Sequence, residues 1–346
     1  MKKMRGFLIT VLAIIIAIVA EKVPVSANDG YKGKLTVKYK LINDDTGVSI
    51  TVKANGARYV ELYISGLPDA YKGYLYEDSR QLEYYYPEEK LTKKKVFSLK
   101  GLPAGTYEFW VTVGNEYCEK KTSKKKTIKI KAPEKTAASQ KRPDQPDFTS
   151  VNPGDTVYLG MYEQDGDMRN GTEPIEWMVL AKNDSKVLLI SKYILEYLPY
   201  NIEWNEEMVW ADSSIREWLN KNFYNNAFSK EEKNMIKKTK VKNPDNWMGT
   251  DGGPDTKDRI FLLSKSEAQN EKYFPDDESR IAFPTEYVKS FYGNQYEEGW
   301  YWYLRGQGGY AYEGDVVSPY GWIGSIGECF ITGLDGIRPC MYVDIK

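Results

Sequence analysis

The sequence predicts a multidomain protein in which an all-β sandwich is followed by a second module of mixed strands and helices. Three observations carry this. Apolar residues alternate with polar ones over the first 130 residues, a stretch from Ala132 to Asn152 shows no periodicity and holds Pro133, Pro143 and Pro146, and S-x-x-E helix starts occur only beyond residue 200.

The N-terminus carries Lys2, Lys3 and Arg5, then a 15-residue uncharged run from Gly6 to Ala20, then Val25-Ser26-Ala27. Small residues after a short apolar run read as a signal peptide over residues 1–27, because the run is shorter than the roughly 20 residues a spanning helix needs. The expected location is therefore secreted or cell-envelope, on the extracellular side, with no transmembrane helix in the mature chain. Retention of the segment as an anchor is the alternative.

The first domain is expected over residues 28–132. Leu35, Val37, Tyr39 and Leu41 alternate with Lys34, Thr36, Lys38 and Lys40, which is the pattern of a half-buried strand. The same period of two recurs at Val48, Ile50 and Val52, at Val60, Leu62 and Ile64, and at Tyr107, Phe109, Val111 and Val113. Turn residues such as Ala54-Asn55-Gly56 separate the runs, and short strands at this spacing form a sandwich. Seven lysines between Lys120 and Lys131 alternate with Ile128 and Ile130. They suit an edge strand guarded against aggregation, or a strip for a polyanion.

A linker is expected over residues 133–152 and the second domain over 153–346. Strands are predicted at Thr156–Tyr162, Ile175–Ala181 and Lys186–Lys192. Helices are predicted to start at capping boxes Ser214 to Glu217, Ser229 to Glu232 and Ser264 to Glu267, the first burying Ile215, Trp218, Leu219 and Phe223 on one face. The C-terminus reads as a hairpin of Cys329–Thr332 and Gly336–Val343 with Leu334-Asp335 at its tip. That register sets Cys329 opposite Cys340, bonded or reduced.

Residues 28–135 carry 21 basic against 14 acidic side chains, and residues 136–346 carry 23 against 34. The basic first half could rest on an anionic wall or membrane surface, or simply aid solubility. Nothing here points to a nucleic-acid partner. Histidine is absent and only Cys118, Cys329 and Cys340 are present. This excludes Ser-His and Cys-His nucleophile systems and histidine-ligated metals, and argues against a disulfide scaffold.

Two resemblances add to this reading. Leu102-Pro103-Ala104-Gly105-Thr106-Tyr107 resembles the corner of fibronectin type III and other immunoglobulin-like domains, where the tyrosine bonds back to upstream backbone. It implies an immunoglobulin-like spacer or adhesive module. The second module resembles a family of uncharacterised extracellular bacterial domains common in gut-dwelling Gram-positive bacteria, with a C-type-lectin-like fold related to the formylglycine-generating enzyme. Pro174-Ile175-Glu176-Trp177, Leu189-Ile190-Ser191-Lys192-Tyr193, Trp218-Leu219-Asn220, Phe261-Leu262-Leu263-Ser264, Trp302 with Leu304-Arg305, and Gly336-Ile337-Arg338-Pro339 carry the match. The paired cysteines of that enzyme have no counterpart here, so the resemblance implies a fold that displays variable loops, without oxidase activity.

Candidate sites follow from residue chemistry. Gly299 to Gly327 hold eight glycines with exposed-loop aromatics and charges, and Trp300, Arg305, Tyr310, Tyr312, Asp315, Tyr320 and Trp322 are the expected ligand contacts. Asp251, Asp255 and Asp258, set among glycines and Pro254, are candidate calcium ligands, or solvated turn residues. No catalytic residue is assigned and no other cofactor is expected. The expected function is non-catalytic recognition of a carbohydrate or surface protein, with a carboxylate-dependent glycan hydrolase and a structural envelope protein as alternatives; oligomeric state is open. The mature protein is expected to start at Asn28. Intact-mass analysis of secreted material checks this, and a mass retaining residues 1–27 would mark a membrane-anchored protein.

Overall fold

The structure is a computed structural model that describes residues 31–42, 47–67, 79–85, 91, 94–115, 120–131, 140–246, 248–292, 298–324 and 329–345. The expected signal peptide, Cys118 and residues 132–139 of the expected linker lie outside the described residues. Strands predominate, helices are few and short, and among the described residues no helix is long and apolar enough to cross a membrane.

The first module contains β1 (Leu35–Ile42), β2 (Gly47–Ala54), β3 (Tyr59–Ser65), β4 (Ser79–Tyr85), β5 (Lys94–Leu99), β6 (Gly105–Gly114), β7 (Lys120–Thr122) and β8 (Lys126–Ile130). One sheet runs β1-β2-β5; the other runs β4-β3-β6-β7, with β8 also on β6. The predicted alternation decides which side chains are inside: Val48, Ile50, Val52, Val60, Leu62, Ile64, Phe109, Val111 and Val113 have no exposed surface. Each such side chain contributes about 1.5–3 kcal/mol of burial. β7 lies along residues 112–114 of β6 and β8 along residues 105–109, so the lysine-rich segment forms the sheet edge. Its lysines are exposed while Ile128 and Ile130 turn inward.

In the second module β9 (Thr156–Tyr162), β10 (Glu173–Lys182) and β11 (Lys186–Ser191) form an antiparallel meander. Asn183 Oδ1 shapes its last turn by accepting from the backbone N–H groups of Ser185 and Lys186. The Trp177 indole donates to Leu159 O at 2.7 Å and pins β10 to β9. The remaining strands are β12 (Glu196–Pro199), β13 (Thr239–Val241), β14 (Thr256–Asp258), β15 (Ile260–Phe261), β16 (Trp302–Gln307), β17 (Gly314–Val317), β18 (Ile323–Gly324), β19 (Leu334–Ile337) and β20 (Cys340–Asp344). They complete two five-stranded sheets, β15-β20-β11-β10-β9 and β12-β19-β16-β17-β18, and a β13-β14 pair.

The expected C-terminal hairpin does not form. β19 pairs with β12 and β16, whereas β20 pairs with β11 and β15, so the chain changes sheets at Arg338-Pro339. Cys340 therefore lies opposite Ile190 and Phe261 rather than Cys329, and neither of the two is in a disulfide. The matched Gly-Ile-Arg-Pro residues make this crossing possible. A Cβ on Gly336 would stand 2.6 Å from Tyr301 O, so only glycine fits there. Arg338 is fully buried, donates to Ser191 O at 2.8 Å and lies over the Trp302 ring, 5.1 Å from its centroid.

Short helices pack beside the sheets, among them α1 (Ser214–Trp218), α2 (Lys230–Met235), α3 (Lys265–Ala268) and α4 (Glu286–Tyr292), with a further single turn at Tyr224–Ala227. Ser229 and Ser264 make the expected capping boxes. The first start is shifted by one residue: Ser213 is the cap of α1, and Ser214 donates to Asn201 Oδ1 instead. Ile215, Trp218, Leu219 and Phe223 are buried as the helical spacing requires. Within the expected linker Phe148 and Val151 are buried, and Lys182 donates to Thr149 O and Val151 O.

The Tyr107 hydroxyl donates to Pro103 O at 2.8 Å, the back-bond its sequence context implied. Tyr107→Phe is expected to lower stability of the intact protein by about 1 kcal/mol in urea unfolding, without change in the m-value.

Candidate functional site

Strand β16, residues 242–246 with Gly252, Asp315 of β17 and the start of α3 enclose a cleft of about 360 Å³. Arg305 organises it. Its guanidinium donates to Leu262 O at 2.8 Å, to Glu267 Oε2 at 2.5 Å and, from two nitrogens, to Lys242 O at 3.1 and 3.3 Å. Its own carbonyl accepts from the Tyr200 hydroxyl at 2.6 Å. One buried cation thereby ties β16 to α3 and to the strand end at Lys242. The Glu267 carboxylate it engages is also the one that closes the capping box with Ser264.

The cleft wall holds polar atoms with nothing to bond. Asn243 Oδ1, Gln307 Nε2 and Asp315 Oδ1 all line it, are buried, and have no hydrogen-bond partner. Leaving such a group unmet costs about 1–3 kcal/mol, so the cleft wall concentrates polarity that the fold itself does not satisfy. Two are acceptors and one is a donor. Burial pushes the Asp315 carboxyl up to about 6, and the Lys265 ammonium, 3.9 Å from Oδ1, lowers it only in part.

Beyond the cleft, the chain runs through Gly308 and Gly309 to Tyr310. Asn246 Nδ2 donates to Gly308 O and Thr250 Oγ1 to Gly309 O, which fixes the cleft wall to the loop that follows. Tyr310 stacks on Tyr312 with centroids 5.2 Å apart, and Tyr312 stacks on Trp204 at 5.2 Å. Phe330 joins this row at 5.7 Å from Trp204. Trp204, Tyr310 and Phe330 are about half exposed (50%, 52% and 55%), an apolar surface that water does not favour.

Of the sequence candidates, Tyr310 and Tyr312 belong to this row, and Tyr320 and Trp322 form a separate exposed pair 5.7 Å apart. Asp315 and Arg305 line the cleft, but the Arg305 guanidinium is spent on the fold. Trp300 is a correction: it is buried against Tyr197 with centroids 5.2 Å apart, because this stretch is packed on both sides and alternation says nothing about exposure. Trp204 and Phe330 were missed, although Trp204 stands in the exposed polar run Glu203 to Glu207, where a tryptophan is out of place.

The three aspartates are a second correction. Asp258 is buried and held by Arg216, Trp210 and Thr256; Asp255 pairs with Lys240 and accepts from Asn243 N; Asp251 accepts from Gly253 N. Each is used locally, and the structure does not gather them around a cation position.

Residues 184–345 match the family described as Domain of unknown function (DUF6273). The DUF6273 stretch contains the whole cleft and the whole aromatic row, and leaves out β9, β10 and their connecting loop. No curated protein and no solved structure matches the chain.

Ionised Asp315 disfavours the folded state, since its folded value of about 6 exceeds the ordinary 3.8. The cost is absent at pH 3.5, develops between pH 4 and 6, and is constant above. Asp315→Asn is therefore expected to stabilise the protein by about 1–3 kcal/mol at pH 7.5 and by little at pH 3.5, measured as the pH dependence of the unfolding free energy.

Proposed function

We propose that this is a secreted or cell-surface recognition protein that binds carbohydrate through the cleft and aromatic row of its DUF6273 stretch, without catalysing a reaction on it. In this reading the second module is a C-type-lectin-like head and the first an immunoglobulin-like spacer, as the sequence resemblances imply. The observation that carries it is the set of three unmet polar atoms in one cleft. A sugar ring offers hydroxyls that both donate and accept, which suits Asn243 Oδ1, Gln307 Nε2 and Asp315 Oδ1 together. The neighbouring rings supply the apolar faces on which sugars stack. A cavity of about 360 Å³ fits one or two residues of a glycan, with the rest lying along the row.

Hydrolysis is the rival reading, because Asp245 and Asp315 both line the cleft. A turnover assay on glycans that bind separates the two, as a hydrolase would release reducing ends and lose this with Asp315→Asn.

A glycan array probed with the intact chain is the direct test. Trp204→Ala and Tyr312→Ala are expected to weaken binding by about 1–3 kcal/mol each with little change in melting temperature. Trp300→Ala is expected to cost about 3–5 kcal/mol of stability instead. The exposed pair is tested in the same way by Trp322→Ala. If no glycan binds, or if all the exposed-ring variants bind as the parent does, the carbohydrate reading fails.

A further inference from the structure

The loop between β9 and β10 gathers Glu163, Asp165 and Glu173, one carboxylate oxygen from each lying within 4.8 Å of the other two. Glu163 and Glu173 are 1% and 7% exposed, whereas Asp165 is open to solvent. Asp165 and Glu173 line a groove of about 580 Å³, which provides an entry path.

Part of each acid is already spent on the chain. Glu163 Oε1 accepts from Gly166 N at 2.9 Å, and Glu173 Oε2 accepts from Gln164 N at 2.7 Å and Asp165 N at 3.2 Å. Asp165 Oδ2 accepts from Asn170 Nδ2 at 2.7 Å. What remains is unmet: Glu163 Oε2, Glu173 Oε1 and Asn170 Oδ1 are buried with no hydrogen-bond partner. Among the described residues no lysine or arginine forms an ion pair with the three acids. The nearby Arg169 pairs with Asp167, and Lys289 with Glu286.

The unmet groups are all side-chain oxygens, and a cation that takes several oxygens at once is a partner that would meet them together. We propose that Glu163, Asp165, Glu173 and Asn170 bind a calcium ion. Four side-chain oxygens completed by water reach the roughly six to eight ligands calcium takes, and an irregular loop suits its flexible geometry better than the strict octahedron of magnesium. The absence of nitrogen and sulfur donors speaks against zinc.

Calcium titrated by calorimetry into the intact, EDTA-dialysed protein is expected to bind once per chain with a Kd between about 10 µM and 1 mM, and to raise the melting midpoint by several degrees. Glu163→Gln and Glu173→Gln, which relieve the repulsion, are expected to raise the metal-free midpoint and abolish the calcium response. Asp251→Asn is expected to change neither. The proposal is overturned if millimolar calcium gives neither heat nor a shift, if magnesium binds as tightly, if the response survives both glutamine variants, or if both variants fail to fold, since the acids would then hold the loop without an ion. It does not depend on carbohydrate binding, which can fail while calcium binding stands.

Discussion

Two sheets built from one chain must exchange strands somewhere, and in the second module the exchange at Arg338-Pro339 governs much of what surrounds it. The backbone leaves the β12-β19-β16 side at Ile337 and enters β20 at Cys340, three residues later, between β11 and β15. A crossing of this kind leaves polar groups inside. Arg338 meets one by donating to Ser191 O, Pro339 has no N–H to satisfy, and Pro339 O accepts from Ser191 N. Desolvation lowers the Arg338 guanidinium to about 10, still charged at neutral pH, and the Trp302 and Phe274 rings beside it offer their π faces. Arg305 repeats the device at the cleft. Among the described residues of the module, both buried guanidinium groups are thus joints between elements.

What could be read from the sequence was local, and what could not be read was a matter of partners. The alternation at Val48 to Val52 and at Tyr107 to Val113 places those side chains inward because a strand's pleat sorts its faces without reference to any distant element. The capping boxes at Ser229 and Ser264 span three residues and held for the same reason. The C-terminal strands misled because two apolar runs around a short turn look the same whether they pair with each other or with strands 150 residues earlier. Trp302, Tyr303, Leu304 and Arg305 are all buried, which erases the period of two.

The same limit applies to the sites. The aromatic row draws on residues 204, 310, 312 and 330, and the cleft on separate segments, so neither has a spacing that sequence inspection could detect. The acidic loop is different. Its members lie within eleven residues, yet Glu163 and Glu173 are strand-end positions whose inward direction depends on the pairing of β9 with β10, including the register shift between Pro174 and Glu176. Unsatisfied buried polar atoms were the signal common to both places, and these exist only once a fold has removed the water.

The junction between the modules carries a mechanical meaning. Arg142, from the connecting segment, forms an ion pair with Glu232, a buried acid that also accepts from Gly160 N and closes the cap of α2. Phe148 and Val151 then anchor the same segment, and Gly101 of the first module packs so closely on the acidic loop that a Cβ there would lie 2.4 Å from Gly166 O. Parting the connecting segment from the second module therefore requires breaking the Arg142–Glu232 ion pair and exposing Phe148 and Val151 to water in the same step.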